Sequence, residues 1–430
     1  ARLRARLPRQ TGSAGALGRL EDIAVWLAVV QGGETVRPIA APRVVLFAGD
    51  HGVAARDVSA LAPGHTAHAV REAAAGGGAV GLLAGLHGAG VRVVDMAVDT
   101  DPALLPEAVT RYRVRHSSGS IDRHDALTTA QAEQAFQTGM DIADAEIDGG
   151  ADLLVVGDIG VGNTTAAAVL IGALTGTDAA AAIGRGSGID DATWIRKCAA
   201  IRDALRRARP VLGEPLRLLA VSGGADYAAM SGFLLRAAIR RTPVLLDGIA
   251  SAASALVVQR IAYRTPDWWL AGHVTPEPSH AKALDRMALE PLLDYKLRYG
   301  EATGALLALP IVQAAACLAA ELPVEDEKAD EDAAPSLTKQ TTPTDAGDAE
   351  ADSTADDPWL TDDTAIEAGG EPPSPAPDAP PPAGPEAAGR RALADDAAGP
   401  RVIEYGGSGG GFVPGPGDDS GPAGVSTPTR

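Results

Sequence analysis

Leu153-Leu154-Val155-Val156-Gly157-Asp158-Ile159-Gly160-Val161-Gly162-Asn163-Thr164-Thr165 runs from four consecutive apolar residues into a glycine-rich turn and then an alanine-rich segment. The apolar run reads as a strand buried on both faces, because such a strand needs no alternation of polar residues. Behind it, glycines let the backbone approach a ligand, and the helix that follows offers free N–H groups to an anion. As a dinucleotide fingerprint the turn is incomplete, since Thr165 stands where the third glycine belongs. A plain turn would carry glycine alone. Gly162-Asn163-Thr164-Thr165 adds polar donors where a phosphate would lie.

The same order recurs on either side. Val44–Phe47, Val91–Val94, Leu218–Val221, Val244–Leu246 and Trp268–Leu270 read as further buried strands. Thr66–Leu86, Thr129–Ile147, Thr164–Leu174, Asp191–Arg207, Ala225–Ile239 and Ile249–Ile261 have helical length and composition. Strand followed by helix, with apolar strands, predicts a Rossmann-like α/β architecture: a parallel sheet with helices on both faces. Leu20–Val30 and Ala302–Leu318 are helices outside that alternation, and Pro310 is expected to kink or divide the second. Ligands in such sheets bind where strands end. Two more glycine loops stand at candidate strand or helix junctions, Gly184-Arg185-Gly186-Ser187-Gly188 and Val221-Ser222-Gly223-Gly224. The first precedes a helix carrying Lys197, which suits a phosphomonoester. Acid–base candidates are Asp50-His51, boxed by glycines, and Glu301 in Gly300-Glu301-Ala302-Thr303-Gly304. A loop cap explains Asp50 as well as chemistry does, and helix-dipole complementarity explains Glu301 as well.

Charge divides the chain. The formal net charge is −19, yet residues 321–430 hold 24 acidic and 6 basic side chains, so residues 1–320 are nearly neutral. A nearly neutral body argues against a nucleic-acid-binding face, which needs clustered Lys and Arg. Seventeen of the 31 prolines also lie in 321–430. With few large apolar residues to offset the entropy of ordering, 323–430 is predicted to be a disordered acidic tail. Cys198 and Cys317 are the only cysteines; this excludes a disulfide framework and a paired-thiol zinc site, and fits a reducing cytoplasm. Neither an apolar run of the roughly 18–20 residues that span a bilayer nor a signal peptide is expected. The Arg-rich start at Ala1, without Met, reads as a piece of a longer protein.

Eight motifs in order over residues 15–320 carry a resemblance: GALGRLE (15–21), AGDHGV (48–53), GGAV (77–80), GDIGVGNTT (157–165), GRGSGIDD (184–191), LLDG (245–248), HVTPEP (273–278) and YGEATG (299–304). The body resembles the nicotinate-nucleotide:dimethylbenzimidazole phosphoribosyltransferase family of cobalamin biosynthesis. The resemblance implies transfer of ribose phosphate from nicotinate mononucleotide to a benzimidazole nitrogen, in a cytoplasmic homodimer, with no cofactor or metal. It implies a large α/β domain (41–290) and a small helical domain from both ends of the body (1–40 and 291–322). By motif match Glu301 is the general base and Asp158 stabilises the anomeric carbon. Gly160, Gly162, Asn163, Gly186, Lys197 and Thr275 hold the phosphate and ribose, with Asp247 nearby.

The chain also departs from the family pattern. Asp158 replaces the usual Glu, and Thr275 a common Ser. In the segment implied to line the base pocket (Ala60, Leu61, His68), Leu61 replaces Tyr and His68 replaces Gln. Two functions remain open on sequence: the active transferase, or a catalytically degenerate relative that binds a nucleotide or α-ribazole and recruits a partner through its tail.

Overall fold

The computed structural model describes residues 2–324; the acidic tail from 325 onward lies outside the described residues. Six parallel strands form one sheet in the order β2-β1-β3-β4-β5-β6. They are β1 (Pro42–Gly49), β2 (Gly90–Ala97), β3 (Leu153–Ile159), β4 (Val244–Leu246), β5 (Trp269–His273) and β6 (Pro291–Leu293). Every residue of β3 is buried, as its unbroken apolar run predicts. β1 pairs with both β2 and β3, Val45 lying opposite Arg92 on one side and Val156 on the other. Strand order therefore reverses between β1 and β3, which opens a crevice at their carboxyl ends.

Two apolar cores flank the sheet. One joins the sheet to the helices α6 (Thr129–Asp148), α7 (Asn163–Thr175), α9 (Asp191–Ala208), α10 (Pro215–Ser222), α11 (Ala225–Ile239), α12 (Ile249–Ile261) and α13 (Pro278–Met287). The other joins α1 (Arg2–Thr11), α2 (Arg19–Val30), α3 (His65–Ala74), α4 (Gly78–Leu86) and α14 (Thr303–Glu321) to Val44, Leu46, Leu153, Val155 and Leu245 of the strands. Short helices at Glu107–Thr110 (α5) and Ala179–Ala182 (α8) complete the series. The first and last parts of the described residues meet here, since α2 packs along α14.

Four expectations are corrected. Leu218–Val221 is not a strand but the body of α10: Pro215 occupies a first-turn position, where its missing N–H costs nothing. β3 also pairs directly with β4, so no slot remains between them. Thr66–Leu86 is two helices, interrupted where Gly76 and Gly78 take left-handed φ angles of +77° and +67°. Pro310 does not divide α14, whose Leu306, Leu309 and Val312 are buried on both sides of it. Finally, α14 is long and apolar enough to cross a bilayer, with an 18-residue mean hydropathy of 1.8. Much of that apolar surface is buried against α2 and the strands instead, as for the core helix of a globular domain.

Candidate active site

Parallel strands deliver their carboxyl ends to one edge, and the chemistry collects there. Asp158 is the penultimate residue of β3 and is buried. Beyond it, Gly162 takes φ +88° at the start of α7, a conformation that L side chains rarely adopt. Asn163 Nδ2 donates to Asp158 Oδ2, and the Tyr227 hydroxyl donates to the Asn163 carbonyl at 2.8 Å. After β4, Asp247 Oδ1 accepts the Ala305 N–H at 2.9 Å, tying the strand end to the first turn of α14. After β5, the Thr275 N–H donates to His280 Nδ1 at 3.1 Å. Burial and the neighbouring His273 push His280 down to about 3, so the ring remains a neutral acceptor.

These strand ends line a cavity of about 450 Å³, and Tyr299, Gly300 and Glu301 contribute another part of its wall. Glu301 and Ala302 both have left-handed φ angles, +59° and +61°, where the chain turns into α14. Such conformations in non-glycine residues cost energy and cluster at functional sites. The Tyr299 hydroxyl donates to Glu301 Oε2 at 3.3 Å. Burial raises the Glu301 carboxyl above its ordinary range, helped by Glu72 and Asp247, while the Tyr299 bond opposes it. Asp158 is pushed up to about 7, chiefly by burial against the Asn163 hydrogen bond, with Asp226 and Asp247 adding to the rise.

Glycine loop 184–188 forms a further part of the wall. Gly186 N–H donates to Glu277 Oε1 at 2.7 Å. Lys197 of α9 is fully buried and donates to Thr164 Oγ1 at 2.8 Å. Burial lowers Lys197 to about 8, opposed by the charge of Glu277. A buried ammonium beside backbone donors and hydroxyls is a place for an anion.

Of the residues singled out by sequence, Asp158, Gly160, Asn163, Gly186, Asp247, Thr275, Leu61 and Glu301 line the cavity. Gly162 and Lys197 stand behind that lining. Ala60 does not line it; its N–H donates to Ser187 Oγ at 3.0 Å, and Ser187 does. His68 is exposed on α3 and outside the lining, whereas His65, one turn earlier, is part of it. Asp50 fastens loops: its carboxylate accepts the Thr66 hydroxyl and, at 2.7 Å, the Asp99 N–H. His51 Nε2 meets Asp226 Oδ2 at 3.1 Å, both fully buried. Val221 and Ser222 end α10, so Gly223-Gly224 follows a helix rather than a strand, and none of the four lines the cavity; two of the three glycine loops meet there.

Thr164, already a candidate phosphate donor by sequence, lines the cavity too, as do His273, Glu277, Arg298 and Tyr299, which were not singled out. His273 and Glu277 lie inside HVTPEP, and Arg298 and Tyr299 sit just before Gly300-Glu301, so motif context held a signal for them. Nothing local separates His65 from His68.

A family profile described as Phosphoribosyltransferase (DBI_PRT) matches residues 1–328. A Streptomyces avermitilis protein named nicotinate-nucleotide–dimethylbenzimidazole phosphoribosyltransferase is 58% identical over 320 residues, 74% of this chain and 85% of that protein. The protein of the same name from Mycolicibacterium paratuberculosis is 53% identical over 312 residues, 73% of this chain and 89% of that one. The crystal structure of CobT from Thermus thermophilus superposes with a TM-score of 0.70 at 37% identity, covering 74% of this chain and 94% of that one. With its sheet order, its strand-end carboxylates and relatives of this identity, the chain belongs to the DBI_PRT family of phosphoribosyltransferases.

Proposed function

We propose that the chain transfers the ribose 5-phosphate of nicotinate mononucleotide to a benzimidazole-type base, giving α-ribazole 5′-phosphate and nicotinate for the cobalamin nucleotide loop. The observation that carries the reading is one cavity holding two carboxylates of raised pKa, Asp158 and Glu301, together with an anion-binding corner at Gly186, Thr164 and Lys197.

In this reading the phosphate rests against Gly160, Asn163, Gly186 and Thr275, with the Lys197 charge behind Thr164. The C1′–N bond to the pyridinium breaks and its electron pair neutralises the departing nicotinate nitrogen. Asp158, ionised, stabilises the electron-deficient C1′. A benzimidazole nitrogen forms the new bond from the opposite face, inverting C1′, and the proton on its second nitrogen passes to Glu301. A base with a pKa raised toward working pH suits that transfer, a contribution of roughly 10²–10⁴-fold. Leu61 and His65 belong to the wall beside the acceptor base. Assembly as a homodimer and residence in a reducing cytoplasm, with Cys198 and Cys317 as free thiols, belong to the same reading.

The test is mass-spectrometric product analysis with nicotinate mononucleotide and a panel of bases. Wild type should yield an α-riboside phosphate, and Glu301→Gln should yield it about 10²–10⁴-fold more slowly. Folded wild type that binds the nucleotide but makes no product from any base would instead identify a binding module.

A further inference from the structure

A second cavity, of about 430 Å³, shares no lining residue with the strand-end cavity. It is built from the short helix Gly52–Arg56, which follows β1, and from the 115–124 segment between β2 and α6. Arg56, Arg115 and Arg123 line it with His116 and His124, and its lining includes no aspartate or glutamate. Asp122, just outside the lining, accepts from Arg56 Nε at 3.1 Å, and Arg123 Nε lies 3.8 Å from the same oxygen. His116 Nε2 lies 2.9 Å from Asp99 Oδ1. One carboxylate thus serves two guanidiniums, and Arg115 has no carboxylate partner among the described residues. Its Nη1 donates to the Ala126 carbonyl at 2.9 Å, and its Nε is buried with no hydrogen-bond partner among the described residues.

A buried donor left unmade costs free energy, and cations gathered at one hollow repel one another unless an anion joins them. The residue types say which anion. Guanidinium groups can reach a phosphoryl group from several directions at once, because its oxygens are disposed tetrahedrally, whereas a planar carboxylate is matched by one fork. The volume exceeds what a bare phosphate fills and lies in the range of small-ligand sites. The charge collects at one hollow rather than along a face, which suits one phosphoryl group and not a nucleic-acid backbone. We propose that this cavity is a second ligand site, binding a phosphomonoester of sugar size through Arg56, Arg115 and Arg123. The site stands apart from the transferase reading.

The experiment is hydrogen exchange of the full chain, followed peptide by peptide, with ribose 5-phosphate as the probe and inorganic phosphate beside it. Ribose 5-phosphate should slow exchange in 52–56 and 115–124. Arg115→Gln should raise the concentration needed by about 10–100-fold, the range of hydrogen bonds to a charged group. Arg123→Gln should raise it by about 2–5-fold, as for an exposed charge. Segments 160–164 and 184–188 report the strand-end cavity in the same sample, so the two sites are separated without turnover. Absence of protection in 52–56 and 115–124 overturns the proposal, whether or not 160–164 and 184–188 respond. Protection of 115–124 that both variants leave unchanged overturns it too. Arg115→Gln also removes the bond to the Ala126 carbonyl, whereas Arg123 holds no backbone group among the described residues; weakening in both variants is therefore loss of the ligand contact rather than of the loop. Inorganic phosphate should protect the same residues only at higher concentration, and equal potency would overturn the ester in favour of the bare oxyanion.

Discussion

Asp158 shows how one position balances two demands. As the penultimate residue of a strand buried on both faces it loses water, and the single Asn163 amide only partly replaces that hydration. Its folded pKa of about 7 therefore exceeds the ordinary 3.8. A carboxyl raised on folding binds its proton more tightly in the native state, so its ionisation opposes folding increasingly as pH rises from about 4 to 7. Asp158→Asn should accordingly raise Tm most at pH 8, with the gain shrinking toward pH 4. Thermal melts of the two proteins across that range check it, and a constant difference would show that burial is not the cause. The residue types needed here, a carboxylate and an amide beside glycines, were legible in 157–165. The pKa was not, because it depends on Asp226 and Asp247, 68 and 89 positions away.

At the scale of elements, α6 and α11 approach through glycine on both sides. A Cβ on Gly139 would lie 1.8 Å from the Ala229 carbonyl oxygen, and one on Gly232 would lie 1.9 Å from that of Phe136. This close approach seats α11, whose first turn carries Asp226 against His51 and Tyr227 against the Asn163 carbonyl. Gly139→Ala should therefore destabilise by about 1–3 kcal/mol, overpacking outweighing the better helix propensity of alanine. Urea denaturation measures it, and a gain in stability would mean the helices can separate at little cost. Most elements were legible in composition and punctuation. The run at 218–221 was not, since a short, fully buried apolar run has no period to separate strand from helix.

Across the described residues as a whole, the helices at either end, α1, α2 and α14, share one core with the sheet. Leu27 of α2 is fully buried in the same cluster as Leu306 and Leu309 of α14 and Val44 and Leu153 of the strands. Leu27→Ala should cost about 2–5 kcal/mol. Because that core is continuous, residues 1–40 and 291–322 should unfold with the sheet in one calorimetric transition, which the variant shifts without splitting. A separate early transition would show the terminal helices to be an independent small domain. The connection also reaches the site: α14 begins two residues after Glu301, and its Ala305 N–H is held by Asp247.

The sequence by itself determined the alternation of buried strands and helices, and hence a parallel sheet with its loops at one edge. It also determined that Asp158, Asn163, Gly186 and Glu301 stand in those loops or at their borders, whereas Asp247 and Thr275 were singled out by the family resemblance alone. The alternation and the loop positions follow from local causes: apolar runs, glycine turns and helix starts acting within a few residues. Tertiary structure alone decided that His65 rather than His68 reaches the cavity, because the docking of α3 on β1 and β2 sets which turn lies near the strand ends. It decided that Asp50 and His51 bond to neighbouring segments rather than line the cavity, and that Arg298 lines the wall beside Glu301 without a partner among the described residues. Side-chain surroundings of this kind are sums over residues far apart in the chain, and no local pattern records them.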